Sequence, residues 1–173
     1  MIAGNNFEGK SLGASSNINA GNKIDAISVE QASTLKAGNS IEISGVIGDD
    51  VTLHGGASVS LYNLAGNNLL AIAGNSFEGR SVGANSTIRV GNSIDVVRVE
   101  QGATLQAGNS IDAKFIGNYS SVNAGNSIDV GCSLGGSYNA GNSIEIDHGD
   151  PRSLQTNAGH DVDINSRDTS TCR

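Results

Sequence analysis

A seven-residue phrase, AGNSIDV at 124–130, recurs along the whole chain. Its variants are AGNKIDA (20–26), AGNSIEI (37–43), VGNSIDV (90–96), AGNSIDA (107–113), AGNSIEI (140–146) and AGHDVDI (158–164). With looser copies included, the phrase starts at 3, 20, 37, 55, 73, 90, 107, 124, 140 and 158, in steps of 16 to 18 residues. A short fixed period marks stacked repeats, in which each unit buries its apolar side only against its neighbours. A longer period lies over it. Residues 2–43 match residues 72–113 at a shift of 70, with 26 of 42 positions identical. Seventy residues are four short repeats, so a block of four coils reads as duplicated.

Within one repeat, the fifth residue from the Ala of AGN is apolar in every copy: Phe7, Ile24, Ile41, Val59, Phe77, Ile94, Ile111, Ile128, Ile144 and Val162. A second apolar point falls at Leu12, Val29, Val46, Leu64, Val82, Val99 and Ile116. A third falls at Ile18, Leu35, Leu53, Ile72, Ile88, Leu105, Val122 and Tyr138. The helical spacing of three and four is missing, and polarity alternates as in a half-buried strand. Three inward points per repeat, separated by polar corners, specify an all-β fold: a triangular parallel β-solenoid of about ten coils, right-handed. It forms a single domain over 1–173, and residues 165–173 are a polar tail. Ten coils at about 4.8 Å each give a rod of roughly 48 Å. The expected core includes Ile24, Ile41, Ile94, Ile111, Ile128 and Ile144. Each Gly of the phrase is expected to form a corner with an unusual φ, and the Asn beside it tolerates a left-handed backbone. Asn5, Asn22, Asn39, Asn75, Asn92, Asn109, Asn126 and Asn142 are expected to stack with their side chains bonded to one another.

Composition removes several functions. A net charge of −7 with 10 Lys+Arg argues against a nucleic-acid surface or an anionic membrane. No apolar run is long enough to span a bilayer, so membrane insertion is not expected. No signal peptide is visible, which favours a cytoplasmic location, with an extracellular one open to a mature form. Cys132 and Cys172 form no disulfide framework and read as free thiols, which suits a reducing compartment.

Catalytic and cofactor-binding residues are not found. His54, His148 and His160 fall at different points of the repeat, with no zinc-type spacing around them. DHGD (147–150) reads as a solvated loop rather than a cation site. No Ser has a companion base to make it a nucleophile. One column stands out: Glu8, Asp25, Glu42, Ser60, Glu78, Asp95, Asp112, Asp129, Glu145 and Asp163 all follow the first apolar point. Stacked on the outside they act as charge that limits sideways aggregation. The competing reading is a cation-binding stripe, with Asp95, Asp112 and Asp129 as its candidate ligands. Like charges one coil apart are expected to raise folded pKa values, so that the rod is more stable near pH 5 than at pH 7.5.

KIDAISVEQASTLKAGNSI (23–41) and RVEQGATLQAGNSI (98–111) resemble the amyloid motif of fungal HET-s-type prion domains, in which a Glu-bearing stretch and an apolar residue close on Gly-Asn. LHGG (53–56) adds to that likeness. The resemblance implies a triangular solenoid whose coils stack into fibrils. That family has two longer coils per chain and a linker, whereas this chain has ten short ones. NAGNSIDV (123–130) and NAGHDVDI (157–164) resemble the β-helix repeats of filamentous-haemagglutinin-type adhesins, and the coil length is similar to that of bactofilin-like filaments. The expected function is non-enzymatic and structural, with the chain itself as partner through its end coils. An adhesin-type binding rod is the alternative. Ice binding is a third reading, weakened because no outward column reads as a regular Thr array.

Overall fold

In a computed structural model the chain forms twenty strands in two parallel ten-stranded sheets. The structure describes residues 1–170 and Cys172. Each strand pairs with the strand two places on, so the chain climbs one coil per repeat. Ala3, Ala20, Ala37, Gly55, Ala73, Val90, Ala107, Ala124, Ala140 and Ala158 stand in one column. The sequence period is therefore the pitch of a β-solenoid.

Strand Ser93–Val99 shows how one coil turns. Ile94 and Val96 point in, Val97 and Arg98 both face out, and Val99 points in again. Two outward residues in succession break the alternation of a pleated strand and bend it round a corner. Strand Thr104–Ala107 then closes the third side with Leu105 and Ala107 inward. Three sides of this kind enclose one continuous core, mostly aliphatic, with Phe77 and Tyr138 as its largest side chains. Ile24, Ile41, Val59, Phe77, Ile94, Ile111, Ile128 and Ile144 stack directly on one another and are buried. Each such side chain removed from water stabilises the fold by about 1.5–3 kcal/mol.

The large residues are matched to small ones. A Cβ on Gly79 would meet Phe77 Cε1 at 2.6 Å, so the Phe-x-Gly pair fills the volume that Ile-x-Val fills elsewhere. Tyr138 is 0 % exposed, and its hydroxyl lies 2.5 Å from Ser133 Oγ. Burial pushes that phenol up to about 12. Gly135 and Gly136, with φ near +143° and +141°, shape the backbone beside it.

Three expected inward residues face out. Val46 and Leu64 are exposed, and Ile47 and Ala65 take their places through the bridges Val29↔Ile47 and Ile47↔Ala65. The coils starting at 37 and 55 are 18 residues long, and their extra residue shifts the alternation by one. Ile72 is also turned outward, because Ala71 stands between Leu53 and Ile88 in the inward column. Register, not side-chain hydrophobicity, selects which of two neighbours is buried.

The Gly-Asn corner also differs from expectation. Left-handed φ values belong to another corner, at Ser15, Ala32, Asp50, Asn68, Asn85, Gly102 and Tyr119, with φ between +57° and +72°. The phrase glycines instead permit close approach. A Cβ on Gly21, Gly38, Gly56, Gly74, Gly91, Gly108, Gly125, Gly141 or Gly159 would run into the carbonyl oxygen of the equivalent glycine one coil earlier. Only Gly lets the backbone pass that near at this corner.

Candidate functional site

The outward positions of the first side form two columns. Ser40, Ser58, Ser76, Ser93, Ser110, Ser127 and Ser143 make one. Glu8, Asp25, Glu42, Ser60, Glu78, Asp95, Asp112, Asp129, Glu145 and Asp163 make the other, in unbroken register. The structure thus brings Asp95, Asp112 and Asp129 together as successive rungs. Lys23 offsets the charge near one end, 2.8 Å from Glu42 and 3.5 Å from Asp25. Every coil except the one carrying Ser60 supplies one carboxylate to the column, and the residues of the adjacent column are mostly serines. Among the described residues no group of three acidic, His or Cys side chains is placed to hold a metal ion. What the column offers is a negatively charged wall.

Partial burial, together with Asp112, Glu145 and Asp147, raises the Asp129 carboxyl above the ordinary range. An acid whose folded pKa exceeds its unfolded value takes up protons more readily when folded. Its ionisation lowers stability above the folded pKa, and that loss is recovered as pH falls through it. We expect Asp129→Asn to raise the melting temperature at pH 7 and to lose that advantage by pH 3. The gain is at most about 0.5 kcal/mol, because the side chain is screened by solvent. Thermal melts of wild type and variant at both pH values measure the difference, and equal offsets at pH 7 and pH 3 would refute it.

Asn5, Asn22, Asn39, Asn75, Asn92, Asn109, Asn126 and Asn142 do stack, but through the main chain. Asn22 N donates to Asn5 O at 2.8 Å, and the same bond recurs from Asn39 to Asn22 and onward to Asn142 on Asn126. Ala57 and His160 continue the ladder where Asn is missing. Among the described residues the side-chain bond from this column runs from Asn22 Nδ2 to Asn6 Oδ1 at 2.9 Å, rather than from Asn to Asn within the column. Backbone spacing satisfies the corner without the side chains, which remain mostly in solvent.

The third side carries the alternating triplets Thr-Leu-Lys, Thr-Leu-His, Thr-Ile-Arg and Thr-Leu-Gln, and the register stacks their threonines. Thr34, Thr52, Thr87 and Thr104 share an outward column with Leu70, Ser121 and Ser137. Each Thr opens its own strand. Lys36, His54, Ile72, Arg89 and Gln106 form the adjacent column, and their unequal lengths prevent a flat plane.

The cysteines are not free. Cys132 and Cys172 form a disulfide across 40 residues, with a Cα–Cα distance of 5.7 Å. The sequence placed these residues too far apart for pairing to be evident, and only the return of the tail along the rod joins them. Cys132 faces outward, yet it is 7 % exposed, as is its neighbour Phe115 at 8 %. Arg98, Phe115, Cys132, His148 and Ser166 stand in successive rungs, with the Arg98 guanidinium 4.0 Å from the Phe115 ring centre. His148 lies within strand Ser143–Gly149, so DHGD is largely strand rather than loop. Its Nδ1 is buried without a hydrogen-bond partner. Asp150 instead holds Arg152, whose guanidinium keeps the carboxyl below the ordinary range. His54 and His160 lie elsewhere on the rod and form no group with His148. The last strand, Asp161–Ser166, takes in the first two residues of the expected polar tail. Of that tail, Thr171 and Arg173 lie outside the described residues.

The two ends differ in kind. Strands Ile2–Ala3 and Phe7–Leu12 pair on one side only, as do Leu154–Ala158 and Asp161–Ser166. At each phrase corner the N–H of the later coil donates to the C=O of the earlier one. The first coil therefore presents unused corner donors, and the last coil unused corner acceptors. Ile2 is exposed, Phe7 half-buried and Val162 exposed.

No family model, curated protein or solved structure matches this chain. The resemblance to HET-s-type and haemagglutinin-type repeats thus gains no support beyond the shared solenoid form. Among the described residues no helix is long and apolar enough to cross a membrane.

Proposed function

We propose that the chain is a non-enzymatic structural rod that stacks head to tail on further copies of itself, making filaments one solenoid wide. The duplication carries this reading. IAGNSFEGRSV (72–82) stacks on the coil before it, with Phe77 on Val59, Glu78 on Ser60 and Gly79 on Leu61. IAGNNFEGKSL (2–12) is its near copy, and the same edge is open. The last coil presents Val162, Asp163 and Ile164 in the columns that Val59, Ser60 and Leu61 occupy. Placing Val162 on Phe7 and Ile164 on Gly9 of a second copy reproduces an internal contact of the chain. The corner donors of the first coil then meet the corner acceptors of the last, which satisfies backbone groups that otherwise rely on water.

Gly4 gives a clean test. A Cβ there has nothing within 4 Å inside the chain, unlike every later phrase glycine. In a stacked pair it would strike the carbonyl of Gly159 of the other copy, as the register implies. We expect wild type to lengthen into rods with rising concentration in light scattering and negative-stain images. Gly4→Ala should melt within about 0.5 kcal/mol of wild type and remain single particles. A wild type that stays monomeric at high concentration, or a Gly4→Ala variant that assembles equally well, refutes the proposal.

A further inference from the structure

We propose that the Cys132–Cys172 disulfide is a redox clamp on the C-terminal edge, holding the last two coils in order while oxidised and releasing them when reduced. The observations are geometric. The last coil is covered on one side only: Val162 is exposed and Ile164 half-buried, where their counterparts Ile144 and Ile146 are fully buried. Nothing among the described residues pairs with its outer edge. The chain leaves strand Asp161–Ser166 and returns to Cys132, two coils earlier, so that the loop closed by the bond contains strands Gly136–Ala140, Ser143–Gly149, Leu154–Ala158 and Asp161–Ser166. A closed loop resists the fraying to which terminal strands are otherwise prone. The bond sets Cys172 beside Cys132 on the outer face of the rod, two coils back from the terminal strand.

Access is one-sided. Cys132 is buried beneath the tail, and Cys172 is half-buried. A dithiol reductant would attack Cys172 Sγ as its thiolate, breaking the bond and expelling Cys132 as a thiolate that takes up a proton. The second thiol of the reductant then displaces Cys172 and leaves as the reductant's own disulfide. Two electrons and two protons pass to the protein, and both cysteines become thiols. Unlatched, the tail no longer ties the last coil back, and the outward faces of Phe115 and Cys132 become accessible.

The effect on coil order stands alone, while the effect on rod growth rests on the head-to-tail reading. Hydrogen exchange read by mass spectrometry separates the two. Amides of Leu154–Ala158 and Asp161–Ser166 should exchange at least tenfold faster in dithiothreitol-treated protein and in Cys172→Ser than in oxidised protein. Those of Ser76–Val82 should not change. Equal exchange in the two redox states overturns the clamp, as does a protein purified under air that retains two alkylatable thiols. Faster exchange on reduction with rods growing equally in both states supports the clamp and removes its control of assembly. Faster exchange with no rods in either state supports the clamp and refutes head-to-tail stacking.

Discussion

Ile128→Asp unfolds the chain or splits the rod, and Asp129→Ser, one residue on, leaves it folded. Ile128 is 1 % exposed and stands between Ile111 and Ile144. A carboxylate there has no cation and no donor within the apolar column, so it either stays charged at high cost or protonates with a strongly raised pKa. Together with the lost apolar burial, the expected cost is on the order of 4–5 kcal/mol or more, in the range reserved for buried unpaired charges. Asp129 belongs to the outward column, and its replacement should stay within about ±0.5 kcal/mol. Circular dichroism melts and size exclusion of the two variants decide the matter. Similar behaviour would mean that the in–out register is wrong.

Gly108→Ala is expected to cost as much as a large core truncation, although it adds only a methyl group. The added Cβ would strike the backbone carbonyl of Gly91, and backbone cannot rotate away as a side chain does. Relief requires the two coils to part at that corner, stretching the Gly108 N to Val90 O bond and the Asn109 N to Asn92 O bond. Overpacking of this kind costs about 1–3 kcal/mol and occasionally more, and the stacked carbonyls above leave no slack. We expect a loss of roughly 3 kcal/mol, measured by denaturant unfolding against Gly4→Ala in the same chain. A Gly108→Ala variant as stable as Gly4→Ala would refute close approach as the reason for the glycine.

Much of this fold is written in the period of the sequence. A step of about 17 residues fixes which residues become neighbours, so the acidic column and the isoleucine column could be read directly. Within each coil the period alone does not choose which of two neighbouring residues points inward. Val46, Leu64 and Ile72 look like core residues by composition, and their exposure follows from one inserted residue or from a shift of one along the strand. The glycines were recognised as corner residues for a reason that belongs to another corner. A glycine at one position of every coil shows that Cβ is excluded there, and the sequence does not distinguish exclusion by φ from exclusion by a neighbouring carbonyl. The outward threonines also follow the period, and Leu70, Ser121 and Ser137 interrupt them, so no regular Thr array forms. The disulfide was hidden. Cys132 and Cys172 share no repeat position, and their contact depends on a tail that leaves the periodic pattern altogether.

The corner ladder, in which every later coil donates to the coil before it, gives the rod a direction. At these corners two like ends would set donor against donor or acceptor against acceptor, whereas unlike ends pair donors with acceptors. A contact between unlike ends leaves one fresh copy of each end after every addition. An ordinary symmetric dimer would satisfy itself and stop at two. If the proposed head-to-tail contact forms, association has no closing number, and length follows concentration and whatever alters the state of one end.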